Sequence, residues 1–345
     1  MVHLPKNKNL PVHLLAACFN NTTATYKFYW LLSIIQSVES GKTLISKREL
    51  FSRMISNAWY TVNYFHLSFG VSDILHRAVQ GLMQHENITV DSSPEYIQEK
   101  MMASTKKETT RMLLEFDRYV PDRFLSPWFP GQDKSSVYID SNDITNNSPY
   151  GLNKEFINVN LLWANYFLEN AAVLKDFCYW NLALFLQGKN PNVPDIPNKL
   201  IKPAKRNSLT GQRKRFWDVI LEERTDLKCI YTNKLLELGK YAVEHFIPYS
   251  FVSHDLVWNL IPADSSFNSS KSDKLPPLDR YFNSFFNLQK SAVTILKEKQ
   301  PRNPFLEDYL TIFPNLYKAF TRDNFKERIE PLITIAANNG FEFMK

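Results

Sequence analysis

Glycine is scarce in this chain of 345 residues, which has 9 glycines against 19 prolines. Phosphate-binding loops of dinucleotide and P-loop proteins need glycines at fixed spacings, because glycine lets the backbone approach a phosphate closely. Neither GxGxxG nor GxxxxGK[ST] occurs in the sequence. The absence of both motifs argues against these two nucleotide-binding classes.

Cysteine is also rare, and Cys18, Cys178 and Cys229 lie far apart. This odd number suits reduced thiols better than a disulfide framework, and it excludes a zinc site of four thiolates. The segment from Cys229 to Thr232 lacks the second cysteine of a CxxC pair, so we expect no structural zinc. This cysteine usage is typical of a reducing compartment and predicts a cytoplasmic protein.

Long hydrophobic runs are missing as well. The apolar stretch 10–19 is interrupted by His13 and is shorter than the roughly 18 residues that a membrane span needs. We therefore expect neither membrane insertion nor export. Hydrophobic residues nevertheless make up 44% of the chain and aromatic residues 14%, which predicts a globular protein with a large core.

The first 190 or so residues have the apolar spacing of helices. In the segment 20–40, apolar residues recur at intervals of three and four, and Ser46 with Glu49 forms a capping box at the start of a second helix. Similar spacing predicts helices within 73–83, 94–115 and 160–186. The sequence therefore predicts that this part of the chain is mainly α-helical.

A linker rich in proline follows at 189–197, where three prolines cannot continue a helix. Between 199 and 217 the chain carries seven positive residues and neither Asp nor Glu. Such a run is common on a solvated face, but its place before the motif described next favours nucleic-acid binding. The predicted binding residues are Lys199, Lys202, Lys205, Arg206, Arg213, Lys214 and Arg215.

The segment 228–276 contains the most specific pattern in the chain. Glu244 and His245 are followed by Phe246-Ile247-Pro248, Asn259 comes 14 residues after the histidine, and Asn268 comes nine residues later. Lys271 follows within one helical turn. This order resembles the HNH endonuclease family, and most closely the zinc-free HNH domains that include those of RNA-guided CRISPR nucleases.

The chemistry of phosphodiester hydrolysis explains this set of residue types. An imidazole ordinarily titrates at about pH 6.5, so His245 is the predicted base that activates water. Glu244 and Asn268 supply the oxygen ligands that Mg²⁺ or Mn²⁺ prefers, and the resemblance implies that they hold this ion. The resemblance also implies that Asn259 orients the histidine, and we expect Lys271 to meet the phosphate. The family most often has Asp at the position of Glu244.

These observations predict a mainly α protein with an inserted ββα-metal (HNH) nuclease module. The predicted organisation is a helical amino-terminal domain at 1–198, a basic linker and lead-in helix at 199–226, the nuclease module at 227–280 and a helical carboxy-terminal segment at 281–345.

The resemblance implies a metal-dependent endonuclease that hydrolyses DNA, in the manner of antiviral-defence or mobile-element effectors. One such site cuts one strand at a time, so a homodimer or a regulatory protein partner enters the hypothesis. Two alternatives stay open at this point: an endonuclease acting on RNA of the tRNA type, and a catalytically degenerate protein that binds nucleic acid or serves in assembly.

Overall fold

The structure is a computed structural model that describes residues 4–201, 208–313 and 315–345. The chain divides into two compact units, Met1–Pro191 with Ile196–Lys202, and Asn192–Asp195 with Pro203–Lys345. The change of unit falls in and around the proline-rich linker. The predicted division into four parts is finer than this one.

The first unit is mainly helical and contains one small sheet. Its strands β1 (Leu44–Ser46), β2 (Tyr150–Leu152) and β3 (Phe156–Val159) are antiparallel in the order β1-β3-β2. Its helices are α1 (Val12–Ala17), α2 (Tyr26–Glu39), α3 (Lys47–Asn63), α4 (Ile74–His85), α5 (Pro94–Ala103), α6 (Lys107–Glu115), α7 (Pro121–Phe124), α8 (Lys134–Asp140), α9 (Leu161–Glu169) and α10 (Ala171–Lys189).

Helices α2 and α3 lie in the core of the first unit. The predicted capping residue Ser46 accepts a hydrogen bond from the Glu49 amide at 3.1 Å, which fixes the start of α3. Helix α2 begins later than the first polar residues of its segment, because Asp73 accepts hydrogen bonds from the Thr25 amide at 2.7 Å and from its hydroxyl at 2.8 Å. Trp30 of α2 is fully buried and donates to the Tyr150 hydroxyl at 2.8 Å.

Two predicted helical stretches are each divided in the structure. The stretch 94–115 becomes α5 and α6, since Ser104 and Lys106 adopt extended backbone angles between them. The stretch 160–186 becomes α9 and α10, with Asn170 at the break. The prediction of helix was correct, but the apolar spacing continues across both breaks and conceals them.

The second unit combines helices with a two-stranded sheet. A helical segment consists of α11 (Thr210–Gln212), a π-helical turn (Arg213–Trp217) and α12 (Asp218–Glu223). The strands are β4 (Ala242–His245) and β5 (Leu260–Ala263), which are antiparallel. The other helices are α13 (Tyr249–Val252), α14 (Ser265–Lys271), α15 (Leu278–Lys299), α16 (Leu316–Ala319) and α17 (Arg322–Asn338), with a 3₁₀ turn at Val257–Asn259 and a 3₁₀ segment at Pro304–Thr311.

Helix α15 provides much of the core of the second unit. Its Phe285 stacks on Phe246, directly after β4, with ring centroids 3.8 Å apart, and lies 5.3 Å from Phe325 of α17. Beyond α14, Leu275 forms a parallel bridge with Phe343. The strands are thus enclosed by elements from the carboxy-terminal part of the sequence.

Within the described residues, none of the helices combines the length and the apolar composition that crossing a bilayer requires.

Candidate active site

The order strand, strand, helix places the residues of the motif close together in the chain's second unit. Glu244 and His245 end β4, where they pair with Ile261 and Leu260 of β5. Helix α14 follows β5 after one residue and carries Asn268 and Lys271. This segment therefore contains two antiparallel strands followed by a helix, with α13 and a 3₁₀ turn between the strands.

The imidazole of His245 is held by a carboxylate that the sequence analysis did not single out. His245 Nε2 lies 3.0 Å from Asp255 Oδ1, and the His245 side chain is 7% exposed. An ionised carboxylate only accepts hydrogen bonds, so Nε2 carries the hydrogen and donates it. This tautomer leaves the lone pair of Nδ1 free to accept a proton, which is the requirement for a general base.

Asn259 closes the loop between the two strands. Its Oδ1 accepts from the Ile247 amide at 2.8 Å, and its Nδ2 donates to the Ile247 carbonyl at 2.9 Å. Its backbone carbonyl accepts from the Phe246 amide at 2.8 Å, and the residue is fully buried. Because these bonds fix the chain immediately after His245, they restrict where the imidazole can lie.

Lys271 joins α14 to β4 through an ion pair. Its Nζ donates to Glu244 Oε1 at 2.6 Å and to the His245 carbonyl at 2.8 Å, and its side chain is 0% exposed. Burial lowers the pKa of Lys271, and the adjacent Glu244 carboxylate opposes that effect. The ammonium points inward in this structure, although a contact with phosphate was the prediction for this residue.

Three contacts set the position of α14, which carries Asn268. Asp264 caps the helix by accepting from the Ser266 amide at 2.9 Å and forms a salt bridge of 2.6 Å with Lys234. Phe267 stacks on the half-buried Tyr231 at a centroid distance of 4.6 Å. The half-buried Asn268 side chain makes no hydrogen bond within the described residues, so its carbonyl oxygen is available as a ligand.

Residues far along the sequence support the loop that carries Asp255 and Asn259. Gln289 of α15 donates to the Leu260 carbonyl at 2.7 Å and to the Val257 carbonyl at 3.2 Å. Asp308 accepts from the Val257 amide at 2.9 Å. Burial raises the pKa of Asp308, and its hydrogen bond from that amide opposes the rise. Gln289 and Asp308 lie outside the motif, and no sequence pattern near them indicates these contacts.

Of the seven positive residues predicted to bind nucleic acid, the structure describes four. Lys199 is fully buried in the first unit, so the structure corrects its assignment: a side chain without solvent exposure does not meet a phosphate. Lys202, Lys205 and Arg206 lie outside the described residues. Arg213, Lys214 and Arg215 share the π-helical turn of the second unit.

The donor set at the site suits an oxygen-preferring ion better than zinc. The described residues contain no group of three or more His, Cys, Asp and Glu side chains placed to hold a metal. Mg²⁺ does not require such a cage, because it keeps several waters and takes one or two protein ligands. Glu244 Oε2 makes no hydrogen bond to the described residues, since Lys271 engages only Oε1. Glu244 and Asn268 therefore fit a divalent ion that is completed by water and phosphate.

The segment that contains this site matches a family model. Residues 227–277 match the model described as HNH endonuclease. This segment is an HNH endonuclease domain. Searches of curated proteins and of solved structures give no match to the chain. The HNH domain indicates a nuclease that binds nucleic acid, and it confirms the resemblance found in the sequence.

The Asn259 clamp leads to a prediction about stability. Replacing Asn259 by Ala leaves the amide and the carbonyl of Ile247 without partners in a buried place, so we expect a loss of about 2–4 kcal/mol in the free energy of unfolding. Urea denaturation measures this loss. Asn287→Ala on the exposed face of α15 is the matched control and should cost less than about 0.5 kcal/mol. Equal stability of the two variants would contradict the role given to the clamp.

The ion pair of Lys271 with Glu244 gives a second stability prediction. Lys271→Met leaves a carboxylate uncompensated in a nearly buried position, and we expect a loss of about 3–5 kcal/mol. Adding Glu244→Gln should recover part of this loss, with a coupling of about 2 kcal/mol between the two sites. A double-mutant cycle from urea denaturation measures the coupling. Strictly additive effects would show that the two side chains do not interact in the folded protein.

Proposed function

We propose that this protein is a metal-dependent endonuclease that hydrolyses phosphodiester bonds of DNA, with His245 as the general base. The observation that carries the proposal is the pairing of His245 with Asp255 at the end of β4, beside Glu244 and inside the HNH domain. This arrangement gives the imidazole a defined tautomer and orientation, which are the two properties that a base must have.

His245 accounts for the proton transfer that activates the attacking water. His245 Nδ1 takes a proton from a water molecule, and the resulting hydroxide attacks the phosphorus. The bond from phosphorus to the 3′ oxygen breaks, which leaves a 5′-phosphate and, after the departing oxygen takes a proton from solvent, a 3′-hydroxyl. Asp255 stabilises the imidazolium that forms, because its carboxylate accepts the hydrogen bond from Nε2.

Glu244 and Asn268 are the proposed holders of Mg²⁺ or Mn²⁺. When bound, such an ion would stabilise negative charge on the phosphate and on the departing oxygen. We assign Lys271 the task of positioning Glu244, since its ammonium is buried against that carboxylate. Asn259 positions His245 through the backbone of Ile247. Both are positioning residues in this proposal.

DNA is the proposed substrate, and RNA is an outcome that the experiment below distinguishes. The site contains one proposed base, so a cut through both strands requires two encounters or a homodimer. A role as an antiviral-defence or mobile-element effector, with a regulatory partner, stays a prediction from the resemblance.

The decisive test compares two histidines nine residues apart, His245 at the end of β4 and His254 in the loop that follows α13. The purified chain is incubated with supercoiled plasmid, single-stranded DNA and total RNA, with Mg²⁺, with Mn²⁺ and with EDTA. We expect DNA cleavage that EDTA abolishes and that His245→Ala lowers by at least about 10²-fold. His254→Ala, whose ring lies 5.1 Å from Trp258, should leave the rate unchanged.

Other results would change the proposal in defined ways. If RNA is fragmented while DNA stays intact, the proposed substrate becomes RNA and His245 remains the proposed base. Cleavage that His245→Ala does not alter removes His245 from the mechanism. Nucleic-acid binding without any cleavage in either metal supports a catalytically degenerate protein instead.

Asp255 gives a prediction of its own. In Asp255→Asn the amide can donate to Nε2, which moves the hydrogen to Nδ1 and blocks the base, so kcat should fall about 10- to 100-fold. KM should stay unchanged, because Asp255 does not touch the substrate in this proposal. Steady-state kinetics on a labelled oligonucleotide separates the two constants. A raised KM with an unchanged kcat would mean that Asp255 contributes to binding rather than to orientation of the histidine.

A further inference from the structure

The π-helical turn Arg213–Trp217 separates apolar from basic residues within five positions. Phe216 and Trp217 are fully buried, whereas Lys214 and Arg215 are exposed. Burial of the two rings fixes the orientation of the turn on its unit. The cationic side chains therefore have a defined direction and are not a mobile basic tail.

Lys214 and Arg215 line a cleft of about 520 Å³. Gln300, Arg302 and Asn303 line the same cleft, although they lie about 85 residues further along the chain, and the remaining lining is apolar. Asn303 connects the two segments, because its Nδ2 donates to the Arg215 carbonyl at 2.8 Å. Asn303 also caps the 3₁₀ segment that follows, by accepting from the Phe305 amide at 3.1 Å.

The charge in this cleft is not neutralised by the protein. Its lining holds three cations, Lys214, Arg215 and Arg302, and no carboxylate. None of the three takes part in an ion pair with any residue that the structure describes. The guanidinium of Arg215 lies 5.6 Å from the Phe305 ring, which orients it without cancelling its charge. Three uncompensated cations around one cleft repel each other, and an anion relieves that repulsion.

The basic turn is attached to both segments of the chain that hold the proposed base. Gln212 Nε2, just before the turn, donates to the Asp255 backbone carbonyl at 3.3 Å. The guanidinium of Arg213 lies over the ring of Tyr241, 4.8 Å from its centroid, and Tyr241 directly precedes β4. The residues next to the cleft therefore contact the segments that carry the candidate active site, and both sites lie within one unit.

We propose that Lys214, Arg215 and Arg302 bind backbone phosphates of the same nucleic-acid strand that the His245 site cleaves, outside the scissile phosphate. This inference rests on the proposed function and adds Arg302, which lies far from the basic run in sequence. The cleft is shallow and its cations are exposed, which suits an extended polyanion rather than one enclosed anion. Phosphate contacts of this kind carry no base specificity.

The test measures the salt dependence of binding in chains that do not cleave. His245→Ala protein is titrated into a fluorescein-labelled DNA duplex, and separately into RNA of the same sequence, at several salt concentrations. Adding Lys214→Gln, Arg215→Gln and Arg302→Gln should reduce the slope of log K against log salt by about 2 to 3, because each phosphate contact contributes about 0.7–0.9.

A control of equal charge excludes a general electrostatic effect. Lys290→Gln, Lys318→Gln and Arg328→Gln remove three exposed positive charges elsewhere in the same unit and should leave the slope nearly unchanged. Arg302→Gln alone should reduce the slope by about 1, and Arg302→Lys should restore it. These exposed substitutions leave the buried core intact, and circular dichroism checks that.

The outcomes separate this inference from the proposed function. If the cleft variant keeps an unchanged slope, the cleft does not bind phosphates. Equal reductions in the cleft and control variants lead to the same conclusion. In both cases the proposal of His245-dependent cleavage is unaffected. Absence of both binding and cleavage in the unaltered chain overturns both. The same reduction with DNA and with RNA supports recognition of the phosphate backbone common to the two.

Discussion

A buried ammonium group connects the parts of the candidate active site. Lys271 Nζ binds the Glu244 carboxylate and the His245 carbonyl, so one side chain from α14 fixes two consecutive residues of β4. Such a pair contributes little net stability, because removing two charges from water costs about as much as their attraction returns. Its effect is on geometry, because it ties α14 directly to the end of β4 in addition to the contacts of Asp264 and Phe267. The roles proposed for Glu244, His245 and Asn268 all depend on the relative position of α14 and β4.

The order of the site could be predicted from sequence because its spacing is local. Glu244, His245, Asn259 and Asn268 lie within 25 residues, and the family resemblance that they carry implied the hairpin and the helix around them. Asp255 also lies in this loop, yet an isolated acidic residue in a loop is usually a turn or capping residue, so it gave no signal. Its role becomes visible only through its distance to His245.

Contacts over long sequence distances could not be predicted. Gln289, Asp308 and Arg302 each lie in a segment without a motif, and their contacts depend on how α15 and the following 3₁₀ segment fold back. The same limit explains Lys199, where composition indicated a charge but not its burial. The carboxy-terminal segment was predicted as a separate helical part, whereas in the structure it supports the loop of the HNH domain.

The π-helical turn has a consequence for how this protein tolerates changes in length. A π turn contains one residue more than an α turn over the same stretch, and each residue of an α-helix rotates the next by about 100°. Deleting Lys214 or Arg215 would restore regular helix and leave Phe216 and Trp217 continuous with α12. A variant shortened there keeps its packed rings but gives up one of the cations that line the cleft. The extra residue of the turn therefore serves the charge of this surface rather than the core.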